Sequence, residues 1–157
     1  MALDDTPQVN VGRLFLVDWE KGLSDRHRWQ CTSGVGGWQG NKDWNKPQGG
    51  VLPPTYKLSP NPGFYQVCTK PRHQDLGGIK GNTYEIRPIS LTTTDGARRS
   101  EGLIHMSRFD DRNRLASLMC VVIPESEFRG SSDAFEETFK RECGHLPDVK
   151  LLVLYTF

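Results

Sequence analysis

Hydrophobic positions along the chain come mostly in short alternating runs, the period of strands rather than of helices. Arg13 to Glu20 (RLFLVDWE) predicts a first strand. After the turn GLSD, Arg26 to Ser33 (RHRWQCTS) alternates charged residues with bulky or small ones and predicts its hairpin partner. Gly34 to Gly50 has no period and reads as a long loop that holds Trp38 and Trp44. Val51 to Leu58 (VLPPTYKL) resumes extended structure, and Pro53 and Pro54 place it at a sheet edge or at a turn into a strand. Phe64 to Lys70 and Thr83 to Leu91 predict two more strands, with a loop between them (PRHQDLGGIKGN) and a connection, TTTDGARRS, after them. GLIHM and CVVIP are short β-type runs on either side of a charged segment.

A helical period occurs once. In SSDAFEETFKREC the residues Phe135, Phe139 and Cys143 recur every four positions and form one apolar stripe. Ser132, Asp133 and Glu136 suit a capped start, and Gly144 suits the stop. The C-terminal DVKLLVLYTF is apolar on both faces and predicts a central, buried last strand. The expected architecture is mainly β: a single domain over 1–157, with 1–11 as a flexible tail and one C-terminal helix before the last strand.

Composition narrows this picture without redirecting it. The chain has 157 residues, enough for one domain with a substantial core, and its ordinary composition, 36% hydrophobic and 25% charged, argues against disorder. Its 16 glycines and 10 prolines fit many turns between short strands. The net charge of +1 gives no support for a nucleic-acid partner. No apolar run approaches the roughly 18 residues of a membrane span, and the N-terminus has no secretory-signal pattern. The expectation is therefore no membrane and no signal peptide, with synthesis in the cytoplasm. Cys31, Cys68, Cys120 and Cys143 form no Cys-x-x-Cys pair. Cys143 and His145 are too few ligands for zinc, so no metal site is expected.

The chemistry on offer is a histidine and a cysteine. A cysteine nucleophile needs a base to form its thiolate, donors for the oxyanion, and partial exposure. His105 ends the run GLI and Cys120 begins CVVI, 15 residues later. That separation allows the two to meet at the ends of neighbouring strands. The amides of Met119 and Cys120 would then point at a developing oxyanion, and Ser117 would donate to it or fix the loop. On spacing alone, a core cysteine and an exposed strand-end histidine are the better fit.

Three segments, in order, resemble the L,D-transpeptidase catalytic domain in its divergent phage and type VI secretion effector branch. Gly49 to Leu58 is similar to that family's Gly-x-Ile-Pro-x-Gly-x-Tyr strand, with Pro53 and Tyr56 at matching positions. Arg99 to His105 (RSEGLIH) resembles its Arg-x-x-x-x-Ile-His, and Ser117 to Pro124 (SLMCVVIP) its Ser-x-Gly-Cys-Ile-x-x-Pro. A helix and a final strand follow in both. The resemblance spans roughly Arg13 to Tyr155, and its sharp motifs cover a small part of that. It implies an L,D-transpeptidase-like β-sandwich or barrel, with Cys120 as nucleophile, His105 as base, Ser117 as an accessory catalytic residue, and Met119, Arg99, Tyr56 and Trp38 in the substrate-binding or oxyanion set. The implied substrate is a peptidoglycan stem peptide, cut after a meso-diaminopimelate or similar L-centre. The resulting acyl-enzyme is resolved by an amine or by water, without metal or organic cofactor. Delivery to the cell wall by a phage or secretion particle, and contact with virion or injection-machine proteins, would follow.

The chain departs from that pattern in three places. Met119 stands where the family has the glycine before its nucleophile, Met106 where a glycine follows the histidine, and no arginine follows Cys120 at two residues. Methionine adds bulk where a substrate carbonyl would approach the backbone. A catalytically degenerate domain of the same fold, acting as a structural or cell-wall-binding module, is the alternative. Several other residues have bland readings beside the functional ones. Asp110 or Asp111 would orient the imidazole or sit as solvated loop carboxylates. Arg99 would clamp a substrate carboxylate or lie on the surface. Trp38 and Trp44 would line a groove or cover the core. His27 and His73 read as surface residues.

Overall fold

The computed structural model describes residues 12–18, 20–21, 27–33, 51–59, 63–76, 79–96, 98–107 and 120–154. The architecture is mainly β, with a curled sheet and a helix before the last strand, as expected. The first two strands, β1 (Gly12–Phe15) and β2 (Arg28–Ser33), pair antiparallel with Phe15 opposite Arg28, so the expected hairpin forms. Val51 to Pro54 is extended and leads through a 3-10 turn, Thr55–Lys57, into the two-residue β3 (Leu58–Ser59). The strands β4 (Tyr65–Cys68), β5 (Arg72–Leu76), β6 (Ile79–Arg87), β7 (Ser90–Thr93) and β8 (Arg98–Ser100) follow. Next come β9 (Leu103–Ser107), β10 (Val121–Pro124), the one-turn α1 (Glu125–Phe128), α2 (Phe135–Cys143) and β11 (Asp148–Leu151).

The strands form two sheets. The larger runs β1-β2-β10-β9-β6-β4-β11, with β5 also paired to β6; the smaller runs β3-β7-β8. All described pairings are antiparallel except β9 with β10, which are parallel, with Val122 opposite His105. A parallel neighbour needs a crossover of about a dozen residues rather than a tight turn, and 108–119 supplies that length.

Tyr84 and Ile86 of β6, Ile104 and Met106 of β9, and Val121 and Ile123 of β10 project from one face of the larger sheet into a single core. α2 covers it there with the expected stripe of Phe135, Phe139 and Cys143, all buried. Phe135 meets Trp29 edge-on at 5.2 Å and stacks on Phe139 at 5.1 Å, while Tyr84 meets both phenylalanines edge-on. Such pairs add about 0.5–1.5 kcal/mol each to the burial itself. The buried indole N–H donates to the Asp133 carbonyl at 2.9 Å. The smaller sheet turns Leu58 and Leu91 into the same core.

Five sequence expectations need correction, the first being the connection TTTDGARRS, which holds the end of β7 and all of β8. PRHQDLGGIKGN is no loop: β5 and the start of β6 form a hairpin within it, from Arg72 opposite Thr83 to Leu76 opposite Ile79. Apart from Leu76 at its end, β5 is polar, so ladder hydrogen bonds fix a strand that has almost no hydrophobic signature. The strand expected over Thr83 to Leu91 divides at Pro88, which follows a cis peptide; β6 and β7 then belong to different sheets. Proline cannot donate to a continuing ladder. The last strand is an edge, bonded only to β4 among the described strands, and Leu152 and Leu154 beyond it are exposed. Finally, the residue that caps α2 is Ala134, with no side-chain hydrogen bond, rather than Ser132 or Asp133. The stop is as expected: the Gly144 amide donates to the Lys140 carbonyl, and a Cβ at 144 would collide with that oxygen.

Candidate active site

Strand alternation decides which side chains share a surface. Ile104 and Met106 face the α2 core, so Leu103 and His105 project from the opposite face of β9. By the same rule Val121 and Ile123 face the core, and Cys120 and Val122 the opposite side. Val122 lies opposite both His105 and Thr32, and continuing the β6–β9 register places Thr83 opposite His105. One row across the sheet is therefore Thr32, Val122, His105 and Thr83. The next row holds Cys120, Leu103 and Glu85.

Thus His105 and Cys120 occupy one face of two adjacent parallel strands, offset by two residues. Strand spacing and rise make that diagonal roughly 8 Å between Cα atoms, short enough for an imidazole to reach towards a thiol. Both residues are only 5% exposed. All four cysteines are thiols.

The ring of His105 is fixed on one side. Its Nδ1 lies 3.0 Å from the Met106 carbonyl oxygen. A carbonyl only accepts, so Nδ1 carries the hydrogen and Nε2 keeps its lone pair. Among the described residues Nε2 has no hydrogen-bond partner. Burial pushes the imidazole below its ordinary pKa, and the Met106 carbonyl offsets this in part. A neutral ring with a lone pair on the unpartnered nitrogen is the protonation state of a general base. The Nε2–Sγ hydrogen bond is not made here, and catalytic pairs without substrate are often this open. Burial of Cys120 departs from the partial exposure expected of a nucleophile.

Two of the other cysteines, Cys31 and Cys143, are held towards the thiol form. Burial, reinforced by Glu127, pushes the Cys31 thiol up to about 12. Burial and Glu142 push Cys143 upward as well.

The remaining sequence candidates are dispersed. Arg99 is buried rather than on the surface: it lies opposite Leu91 on the inner side of the small sheet, near Tyr65 of the core. Desolvation lowers the pKa of its guanidinium. Tyr56 is 51% exposed on the 3-10 turn, next to Thr55, whose backbone N–H donates to Val153 at 3.0 Å. Ser117, Met119, Trp38, Trp44, Asp110 and Asp111 lie outside the described residues. His73 is exposed on β5, and His27 is half-buried 3.8 Å from Glu142.

Residues the sequence reading passed over share the histidine's face. Thr83 is fully buried and its hydroxyl donates to the Arg72 carbonyl at 3.1 Å. Glu85 is held by Arg87 at 2.7 Å and Arg72 at 3.6 Å. The alternation Thr83, Glu85, Arg87 against Tyr84, Ile86 in TYEIR is the signal that would have found them. No protein-family model, no curated protein and no solved structure matches this chain.

Proposed function

We propose that this protein is a cysteine-dependent acyl transferase of the L,D-transpeptidase or L,D-carboxypeptidase type, acting on peptidoglycan stem peptides. The observation that carries the reading is the shared face of His105 and Cys120, with the histidine held as the neutral tautomer whose Nε2 is unpartnered among the described residues. The motif resemblance supplies the substrate class. In the first step Nε2 takes the thiol proton as sulfur bonds to the scissile carbonyl carbon. The tetrahedral oxyanion collapses, the C–N bond breaks, and the imidazolium gives its proton to the departing amine. The thioester is then opened by a second amine or by water. His105 accepts that nucleophile's proton and returns it to the sulfur.

The test is incubation with purified muropeptides, followed by intact-mass measurement and product analysis. The expected result is an acyl adduct on Cys120 and a shortened or exchanged stem, both abolished by Cys120→Ser. Unchanged muropeptides and an unmodified protein would overturn it.

A second reading has its own support: both side chains are 5% exposed, and Met119 stands at the position of the family's glycine. On that reading the domain is a structural or wall-binding module of a virion or injection particle. It predicts retention on purified sacculi that survives Cys120→Ser, with no change in the muropeptide profile.

A further inference from the structure

The face that carries His105 and Cys120 continues onto β6, where its character changes from buried to charged. Glu85 lies in the row of Cys120 and Leu103, its side chain only 14% exposed. Its Oε1 accepts from Nε of Arg87 at 2.7 Å, and its Oε2 lies 3.6 Å from Nη1 of Arg72. One largely buried carboxylate therefore orients two guanidiniums. Those guanidiniums are open to solvent, at 48% exposure for Arg87 and 72% for Arg72. Among the described residues, neither terminal nitrogen of Arg87 has a protein partner, and Arg72 contacts Glu85 through Nη1 alone. Asp148 also acts on Arg87, so the four charges balance, and it is the unused N–H donors of the two arginines that form forks of the kind that match a carboxylate.

We propose that Arg87 and Arg72, tethered by Glu85, form a carboxylate-binding subsite for the acyl donor; this deepens the acyl-transfer reading and rests on it. The role that sequence alone offered to Arg99 passes to this pair, because Arg99 is turned into the core. The backbones of β6 and β10 are two strand spacings apart, roughly 10 Å. An extended peptide advances roughly 3.3–3.6 Å per residue. A carboxylate held by Arg87 on β6 thus lies about three residues' length from the carbonyl that meets Cys120, and one held by Arg72, a strand further out on β5, about four. Recognition is electrostatic and bidentate, and it selects donors that carry an anionic group at those distances over neutral ones.

The test uses the full chain and two synthetic stem tetrapeptides, one with its side carboxylates unmodified and one with them amidated. Binding is measured by calorimetry on Cys120→Ala, alone and combined with Arg87→Gln or Arg72→Gln. Acylation of Cys120 is followed by intact mass in the protein without substitutions. The expected result is that amidation weakens binding by about tenfold or more, the scale of a charge-assisted hydrogen bond. Arg87→Gln should shrink that discrimination to near unity and Arg72→Gln should reduce it, with far-UV spectra and melting unchanged. A merely structural arginine would shift both peptides equally. If discrimination persists in both variants while Cys120 is still acylated, the subsite is wrong and the nucleophile stands. If neither peptide binds and Cys120 takes no acyl group, both fall.

Discussion

The two faces of the larger sheet bury their residues by opposite rules. Under α2, Trp29, Tyr84, Phe135 and Phe139 pack ring against ring, and the one indole N–H among them has its acceptor. On the reverse face at the same depth lie Thr32, Thr83, His105 and Cys120, and His105 keeps a nitrogen with no partner among the described residues. An unsatisfied buried polar group costs about 1–3 kcal/mol. The first face maximises stability. The second gives some of it up by leaving that nitrogen unpartnered among the described residues.

The contrast can be sharpened first on the aromatic side. Phe135→Ala should lower the free energy of unfolding by about 3–5 kcal/mol, because it removes a ring with four aromatic neighbours and leaves a cavity. Urea titration measures it, and a loss below about 1 kcal/mol would remove α2 from the centre of the core.

On the histidine side the expected effect is smaller and depends on pH. Burial depresses the His105 pKa from 6.5, so between the folded and unfolded values the unfolded chain holds more of the proton. The contribution of this residue to stability is complete above about pH 6.5 and is lost as pH falls through the lower, folded pKa. Melting curves from pH 7.5 to 5 should show that decline, and His105→Gln should flatten it. An unchanged slope in the variant would place the acid sensitivity elsewhere.

The smallest effect concerns the turn that feeds β9. Glu101 has φ of 60°, a conformation that costs an L-residue about 1–2 kcal/mol and glycine almost nothing. The greater entropy of an unfolded glycine offsets part of the gain, so Glu101→Gly should stabilise by no more than about 1 kcal/mol. A net destabilisation, read by the same urea titration, would mean that the Glu101 side chain contributes contacts of its own.

Legibility from sequence followed contrast. The β1–β2 hairpin and the α2 stripe repeat their apolar residues at the strand and helix periods, β9 and β10 show as short apolar β-type runs, and all stand where the pattern put them. β5 was invisible because RHQDL has almost no apolar residue to alternate. The last strand misled because LLVLYTF is apolar throughout, a pattern shared by central strands and by an edge that leaves Leu152 and Leu154 exposed. At the candidate site, the short β-type runs GLI and CVVI were enough to put His105 and Cys120 at strand ends, but not to make those strands neighbours. Their parallel pairing and two-residue offset depend on how the chain crosses over between them, which no local pattern encodes. The burial of Arg99 was equally hidden: two adjacent arginines in a three-residue strand give no periodic clue to which one turns inward.

The central claim is that the imidazole of His105 and the thiol of Cys120 act as one unit. Its most direct test is the pH–rate profile of iodoacetamide labelling at each cysteine, read by mass, in the protein and in His105→Ala. The account predicts that Cys120 reacts near neutral pH, ahead of Cys31 and Cys143, whose thiols are pushed upward. Removing the imidazole should slow Cys120 on the order of 100-fold, the contribution of a positioned base. Labelling of Cys120 no faster than that of Cys31 and Cys143, or at the same rate without His105, would contradict it.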